Sequence, residues 1–220
     1  ASTGEGLLFA MNDHMPTKIV ASEKEYEIIT TNPDDLREKK AKKEKDETKQ
    51  IIAEDVQKLS RDFYPRKDLE EHQTNYLKSH GYIEERLVGF EKAGAQIYLI
   101  KKPETNESVE HFFLTKLIAQ EIKKYTDNIV EYSTFGPDIM FQTVKTGDKI
   151  DWYAIEVETG KTLEKNPTAL EKKVSTNDFM QHIKEWYFVL TDASLKTEYE
   201  KLHKTFTRNE IKEKVRELFN

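Results

Sequence analysis

Residues 151–161 read DWYAIEVETGK, and their pattern is the clearest indication of the fold. The stretch 151–158 predicts a β-strand, because aromatic and β-branched residues favour strands and the pattern alternates at its end. Its apolar members suggest a central strand covered on both faces; they are Ala154, Ile155 and Val157.

The elements predicted around this strand give a mixed α/β core. A helix begins near Asn106 to Ser108 and carries apolar residues at three- and four-residue spacing as far as Tyr125. The remaining segments are strands at 129–132 and 137–141, a helix from 170 continuing toward 183, a strand at 186–191 and a helix at 210–219. The order helix, three strands, helix, strand, helix is typical of a mixed α/β fold.

The composition limits the function classes. The chain has 220 residues, of which 36% are hydrophobic and 10% aromatic, so it can bury a real core. Cysteine is absent, which excludes disulfide scaffolds, thiolate metal sites and cysteine nucleophiles. The formal net charge of -6 argues against a strongly basic DNA-coating protein and is compatible with a metal-assisted nucleic-acid enzyme.

Three carboxylates form the candidate site. Glu156 and Glu158 share one face of their strand, because side chains two residues apart point the same way. Asp138 stands at the head of the strand before, and it approaches that face if the two strands pair as a hairpin. Such carboxylates repel one another unless a cation neutralises them. Mg²⁺ or Mn²⁺ prefers oxygen ligands and assists phosphodiester hydrolysis, with Lys161 placed to stabilise the developing charge.

These residues resemble the PD-(D/E)XK nuclease superfamily. The resemblance is carried by Pro137-Asp138 and, after an intervening hairpin, by 154–161 (AIEVETGK). It implies a restriction-endonuclease-like mixed sheet flanked by helices over 103–220, and a metal-dependent DNA endonuclease. It also implies that Asp138 and Glu156 bind the metal.

The same resemblance implies that an acidic residue on the helix before the sheet joins the site. Glu110 is the best match for that residue and Glu107 the second.

One position departs from the family pattern. Glu158 occupies the place that is usually lysine, so it would add a metal ligand or orient water, and Lys161 would serve as a displaced lysine. The departure leaves an alternative open. In that alternative the domain is a catalytically inactive nuclease relative that binds DNA or docks on secretion machinery.

Residues 1–33 carry a second resemblance. The segments GEGLLF at 4–9, PTKIVAS at 16–22 and TTNP at 30–33 are similar to the C-terminal end of the motor ATPases of type IV secretion and conjugation systems. No Gly-x-x-x-x-Gly-Lys-Ser/Thr loop is present, so the chain is not a complete ATPase. The resemblance implies a piece of a longer conjugation or mobile-element protein, with the secretion machinery as a partner.

The protein is expected in the cytoplasm, where its partners would hold it at the inner face of the membrane. The sequence contains no apolar run near the ~18 residues of a membrane span. Its first residues, beginning at Ala1, carry no basic segment of a signal peptide.

Residues 1–33 also predict local structure. Two short strands are expected there, at 6–10 and 17–21, around a turn at 12–16.

The middle of the chain predicts two further segments. Residues 34–50 are almost all charged and fit a solvated helix or linker, or a basic DNA-binding arm. Residues 51–102 predict helices at 51–59 and 68–77, a stop at Gly81, and a hairpin formed by 83–90 and 95–100.

Helices followed by a hairpin suggest a winged-helix-like appendage. Such a unit serves either to read DNA or only to pack. A third possibility is that the whole of 1–102 is an assembly arm without a recognition role.

Overall fold

The computed structural model describes residues 5–10, 13–18, 34, 37–43, 55–56, 58–90, 94–104, 107–132, 136–145, 149–178 and 182–220. The chain divides into two compact units, Ala1–Lys58 and Leu59–Asn220. The domain limits expected at 33, 50 and 102 stay predictions. Within the described ranges, no helix is both long enough and apolar enough to cross a membrane.

The first unit contains a β-hairpin. Strands β1 (Glu5–Ala10) and β2 (Asp13–Lys18) pair antiparallel, with Ala10 opposite Asp13. Two paired strands are confirmed, the first close to the expected 6–10. The second lies at 13–18 instead of the expected 17–21, so the turn expected at 12–16 is wrong. Pro16 is accommodated since both strands of a two-stranded hairpin are edge strands. Residues 37–43 are helical and exposed, which agrees with a solvated helix in the charged segment.

A three-stranded antiparallel sheet begins the second unit. Strands β3 (Phe63–Pro65), β4 (Tyr82–Val88) and β5 (Ala95–Lys101) lie in the order β3-β5-β4, and helix α1 (Glu71–Ser79) precedes β4. The predicted hairpin is confirmed as β4 and β5. The short strand β3 was not predicted.

Two further expectations in this region have different outcomes. Gly81 has φ 85 just after α1, as expected of a helix stop. The helix predicted at 51–59 lies mostly outside the described residues, so the winged-helix-like arrangement stays a prediction.

The larger part of the second unit is a layered region made of a five-stranded mixed sheet and its flanking helices. Its elements are α2 (Val109–Ile122), β6 (Ile129–Glu131), β7 (Ile139–Lys145), β8 (Lys149–Glu158), α3 (Lys161–Lys165), α4 (Pro167–Asp178), β9 (Ile183–Leu190), α5 (Lys196–Glu200), β10 (Thr205–Thr207) and α6 (Arg208–Phe219). The strand order is β10-β9-β8-β7-β6. Strands β6, β7 and β8 are antiparallel neighbours, whereas β8, β9 and β10 are parallel. The mixed α/β class and the central position of β8 are therefore confirmed.

Some boundaries differ from the expected ones. The helix expected to continue toward Ile183 ends at Asp178, and Ile183 begins β9 because it pairs with Trp152 of the parallel neighbour β8. Strand β7 begins at Ile139, so Asp138 lies just before it. Strand β10 was not predicted, and its three residues are too few to show a periodic pattern.

Helices cover both faces of this sheet. On one face, Ile155 and Val157 pack in a core with apolar residues of α2 and α6. On the other face, Ala154 packs in a core with Leu170 of α4 and Tyr199 of α5. Glu156 and Glu158 alternate with Ile155 and Val157, so they belong to the face that α4 and α5 cover.

Gly160 connects β8 to α3 at a crowded point. Its φ is 85, and a Cβ added there would overlap Leu195 Cδ1. Gly81 has the same φ but no atom within 4 Å of an added Cβ. The two glycines thus differ in crowding and share the same backbone conformation.

We expect Gly160→Ala to destabilise the chain more than Gly81→Ala. The left-handed conformation costs an alanine about 1–2 kcal/mol at either position. The half-buried Leu195 side chain must also turn aside at Gly160 alone, which adds about 0.5–1.5 kcal/mol. Urea unfolding followed by tryptophan fluorescence measures both losses, and equal losses would show that Leu195 does not crowd Gly160.

Candidate functional site

Asp138 reaches the central strand through a backbone hydrogen bond. Val157 N–H donates to Asp138 Oδ2 at 2.7 Å. The antiparallel pairing of β7 with β8, in which Ile139 lies opposite Ile155, brings the start of β7 to this part of β8. Since Val157 lies between Glu156 and Glu158 in the chain, Asp138 meets the stretch that carries both glutamates.

Glu156 and Glu158 are buried, with 2% and 3% of their surface exposed. Lys173 of α4 lies between them, with its Nζ 3.0 Å from Glu156 Oε2 and 2.8 Å from Glu158 Oε1. Each carboxylate has a second donor on its other oxygen. Asn177 Nδ2 donates to Glu156 Oε1 at 3.1 Å, and the Tyr199 hydroxyl donates to Glu158 Oε2 at 3.3 Å.

His111 joins the cluster from α2. Its Nε2 lies 3.3 Å from Asp138 Oδ2, and its Nδ1 lies 2.8 Å from Glu107 Oε2. Both ring nitrogens face carboxylates, so the doubly protonated imidazolium satisfies both. Ser108 caps the helix by accepting a hydrogen bond from His111 N–H, which places the imidazole in the first turn.

The environment drives the pKa values of two neighbouring carboxyls apart. Burial raises the pKa of Glu156 to about 7; the Lys173 ammonium opposes this and the Asp138 charge adds to it. Burial would also raise the pKa of Asp138, but His111, the Val157 N–H and Lys173 hold it below its usual value. A carboxyl that titrates near neutrality beside one that stays ionised is a common feature of active sites.

Both cations of the cluster keep their protons at neutral pH. Burial alone would lower the pKa of His111, but the carboxylates of Asp138 and Glu107 outweigh it and raise the pKa to about 9. Burial likewise opposes the charge of Lys173, whereas Glu156 and Glu158 raise the pKa of its ammonium above the usual lysine value.

Within the described ranges, neither Glu110 nor Lys161 is bonded to the three carboxylates. The Glu110 carboxylate contacts the Arg208 guanidinium at 2.9 Å, and Arg208 also donates to Val88 O and Thr191 O. Lys161 is exposed at the start of α3. Among the described residues it forms no ion pair with either glutamate of β8, and its charge-stabilising role stays a prediction.

The cluster contains groups that did not belong to the predicted site; they are Lys173, Asn177, Tyr199 and His111. Part of this set had a signal in the sequence. Lys173 and Asn177 are four residues apart, so they share a helix face, and Leu170 on that face is buried. His111 and Glu107 are also four residues apart. Nothing local to Tyr199 indicates its contact with Glu158.

The carboxylate oxygens of Asp138, Glu156 and Glu158 suit a hard divalent cation. Three carboxylates are the ligands that Mg²⁺ and Mn²⁺ prefer. Within the part of the chain that the structure describes, no three histidine, aspartate or glutamate side chains converge closely enough to hold an ion as they stand. The Lys173 ammonium lies between Glu156 and Glu158, so an ion bound by both glutamates must displace it from at least one of them.

The chain was compared with protein-family models, curated proteins and solved structures, and none of them matches. The function therefore has to be inferred from the motifs and from the geometry of the cluster.

We expect an NMR titration to give His111 a pKa of about 9. Asp138→Asn removes one of its two carboxylate partners and should lower that value by about one unit or more. The unfolded-state pKa is about 6.5. The stabilisation from His111 is therefore complete below about pH 6.5 and is lost as the pH rises toward 9. A His111 that titrates near 6.5 in the folded chain would contradict the contacts with Asp138 and Glu107.

Proposed function

We propose that the chain is a metal-dependent nuclease that hydrolyses phosphodiester bonds in DNA. Asp138 and Glu156 would bind Mg²⁺ or Mn²⁺, and Glu158 would add a ligand or orient water. The observation that carries the proposal is the hydrogen bond from Val157 N–H to Asp138, which brings this carboxylate to the stretch of β8 that carries the buried Glu156 and Glu158. Buried carboxylates are costly unless they are paired or bind a cation.

The topology supports the proposal. Helix α2 is followed by the antiparallel strands β6, β7 and β8, then by crossover helices and the parallel strand β9. This is the element order that the resemblance to the PD-(D/E)XK superfamily implies. We therefore propose a restriction-endonuclease-like fold for this part of the chain.

The chemistry is a hydrolysis. The oxygen of a water molecule bonds to phosphorus, the bond from phosphorus to a sugar oxygen breaks, and that oxygen takes a proton while the water releases one to solvent. When bound, the metal polarises the phosphodiester and lowers the pKa of water. The chain's part is to hold its carboxylates in place: Val157 N–H and His111 orient Asp138, and Asn177 orients Glu156.

A second candidate is a catalytically inactive nuclease relative that binds DNA or docks on a type IV secretion ATPase. One observation favours it. Lys173 places one positive charge between Glu156 and Glu158, where a metal would otherwise provide it.

The biological setting follows from the resemblance of residues 1–33 to conjugation ATPases. It suggests DNA transfer machinery as a partner and a place at the inner face of the membrane. This setting is shared by the active and the inactive candidate, so it does not decide between them.

We expect the unaltered chain to cleave plasmid or single-stranded DNA with Mg²⁺ or Mn²⁺ and not with EDTA. Asp138→Asn and Glu156→Gln keep the side-chain volume and remove one charge each. They should lower the rate at least ~100-fold, since metal ligands contribute several kcal/mol. Glu131→Gln is the matched control, because Glu131 lies in the same sheet and pairs with Lys116 and Lys123 instead. Cleavage that survives in both site variants would refute the proposal.

Metal binding separates the two candidates without relying on activity. Calorimetric titration with Mn²⁺ should detect binding that Asp138→Asn and Glu156→Gln both weaken about tenfold or more. The inactive relative predicts no such binding, because Lys173 already neutralises the glutamates. Absence of carboxylate-dependent binding together with absence of cleavage would favour that second candidate.

A further inference from the structure

We propose that Lys173 is the catalytic cation of this site and donates a hydrogen bond to the scissile phosphate. It would do so from helix α4, in place of a lysine at position 158 and in place of Lys161. This inference rests on the proposed nuclease function and deepens it by naming the group that contacts the substrate.

The ammonium of Lys173 has a donor to spare. An ammonium carries three N–H donors. In the described part of the chain, two of them are directed at Glu156 and Glu158, at 3.0 and 2.8 Å. One N–H is therefore left for a phosphate oxygen, and the Lys173 side chain is half-buried, with 35% of its surface exposed.

The two carboxylates hold the ammonium in one position, and Glu158 would still hold it if a metal bound by Asp138 and Glu156 replaced the contact with Glu156. Asn177 and Tyr199 fix the outer oxygens of Glu156 and Glu158, so both acceptors of the lysine are themselves oriented. A cation fixed before the reaction costs little reorganisation when charge develops on the substrate. This is the property that an exposed lysine such as Lys161, at the start of a short helix, lacks.

The place of Lys173 on the strand also fits the role. It contacts both glutamates that flank Val157, and Val157 N–H binds Asp138, so the ammonium and the Asp138 carboxylate meet the same short piece of β8. A phosphate bound near these carboxylates would lie next to a positive charge. During hydrolysis Lys173 transfers no proton. It stabilises the negative charge that builds on the non-bridging phosphate oxygens as the water oxygen bonds to phosphorus and the sugar oxygen leaves.

The competing explanation is that Lys173 is only a counterion for buried glutamates. The chain offers a pair of that kind elsewhere: Lys124 Nζ lies 2.6 Å from Oε2 of the buried Glu121 on α2. Lys124→Met is therefore a matched control, since it also removes a lysine from a buried glutamate, outside the site.

The first experiment measures DNA cleavage and Mn²⁺ binding in Lys173→Met and Lys124→Met of the full chain. We expect Lys173→Met to lower kcat about 100-fold or more with KM changed less than about threefold, as expected of a contact made in the transition state. Its Mn²⁺ affinity should be unchanged or higher, because the competing ammonium is gone. A counterion role predicts loss of metal binding and of folded structure along with activity. Lys124→Met should keep kcat.

A chemical rescue keeps the test decisive if Lys173→Met folds poorly. The chain has no cysteine, so Lys173→Cys provides a single thiol. Alkylation with 2-bromoethylamine restores an ammonium at nearly the lysine length, whereas iodoacetamide adds a neutral group. We expect the first product to recover at least about a tenth of the unaltered kcat and the second to stay inactive.

The outcomes separate the two proposals. Metal-dependent cleavage by the unaltered chain that persists within about threefold in Lys173→Met overturns the assignment of Lys173 and leaves the nuclease proposal standing. Aminoethylation of Lys173→Cys that fails to restore cleavage likewise overturns the assignment of Lys173 and leaves the nuclease proposal standing. Absence of cleavage by the unaltered chain under every metal condition overturns both.

Discussion

Two carboxylates buried on the central strand are the constraint on which the rest of the second unit depends. Glu156 and Glu158 cannot remain ionised in the interior without compensation, and leaving one buried charge unpaired costs on the order of 3–5 kcal/mol. Lys173 provides that compensation, and it can do so only because α4 crosses over this face of β8. The crossover that makes β8 and β9 parallel neighbours is thus also the element that neutralises the site.

A second set of contacts connects the opposite side of the cluster to α2. Asp138 accepts from the backbone of β8 and from His111, and Glu107 holds His111 in turn. The result is a line of alternating charges that runs from Glu107 through His111 to Asp138, with Glu156 and Glu158 of β8 and Lys173 of α4 beside it. Such a network keeps the pKa values of Asp138 and Glu156 apart.

The arrangement is compatible with an active enzyme and with a relative in which lysine has replaced the metal. Both share the fold and the buried carboxylates, and they differ only in what occupies the space around Lys173. The distinction lies in the energetics of one ammonium between two glutamates. It does not lie in the topology, which is the same for both.

The sequence by itself determined the fold class, the central strand and the candidate carboxylates. Alternation places Glu156 and Glu158 on one face whatever surrounds them, and the apolar Ala154, Ile155 and Val157 mark β8 as buried. The pairing of β7 with β8 is local in sequence, so the approach of Asp138 was also predictable.

Only the tertiary structure decided which cation meets these carboxylates. Lys161 is closer in sequence to Glu158, but α3 is short and leaves it exposed. The next helix brings Lys173 to both glutamates, and Tyr199 arrives from still further along the chain. Arg208 similarly holds Glu110 from 98 residues away, a partner that the helical pattern around Glu110 does not indicate. Contacts of this kind depend on how crossover helices pack on the sheet, and no periodicity in the sequence encodes them.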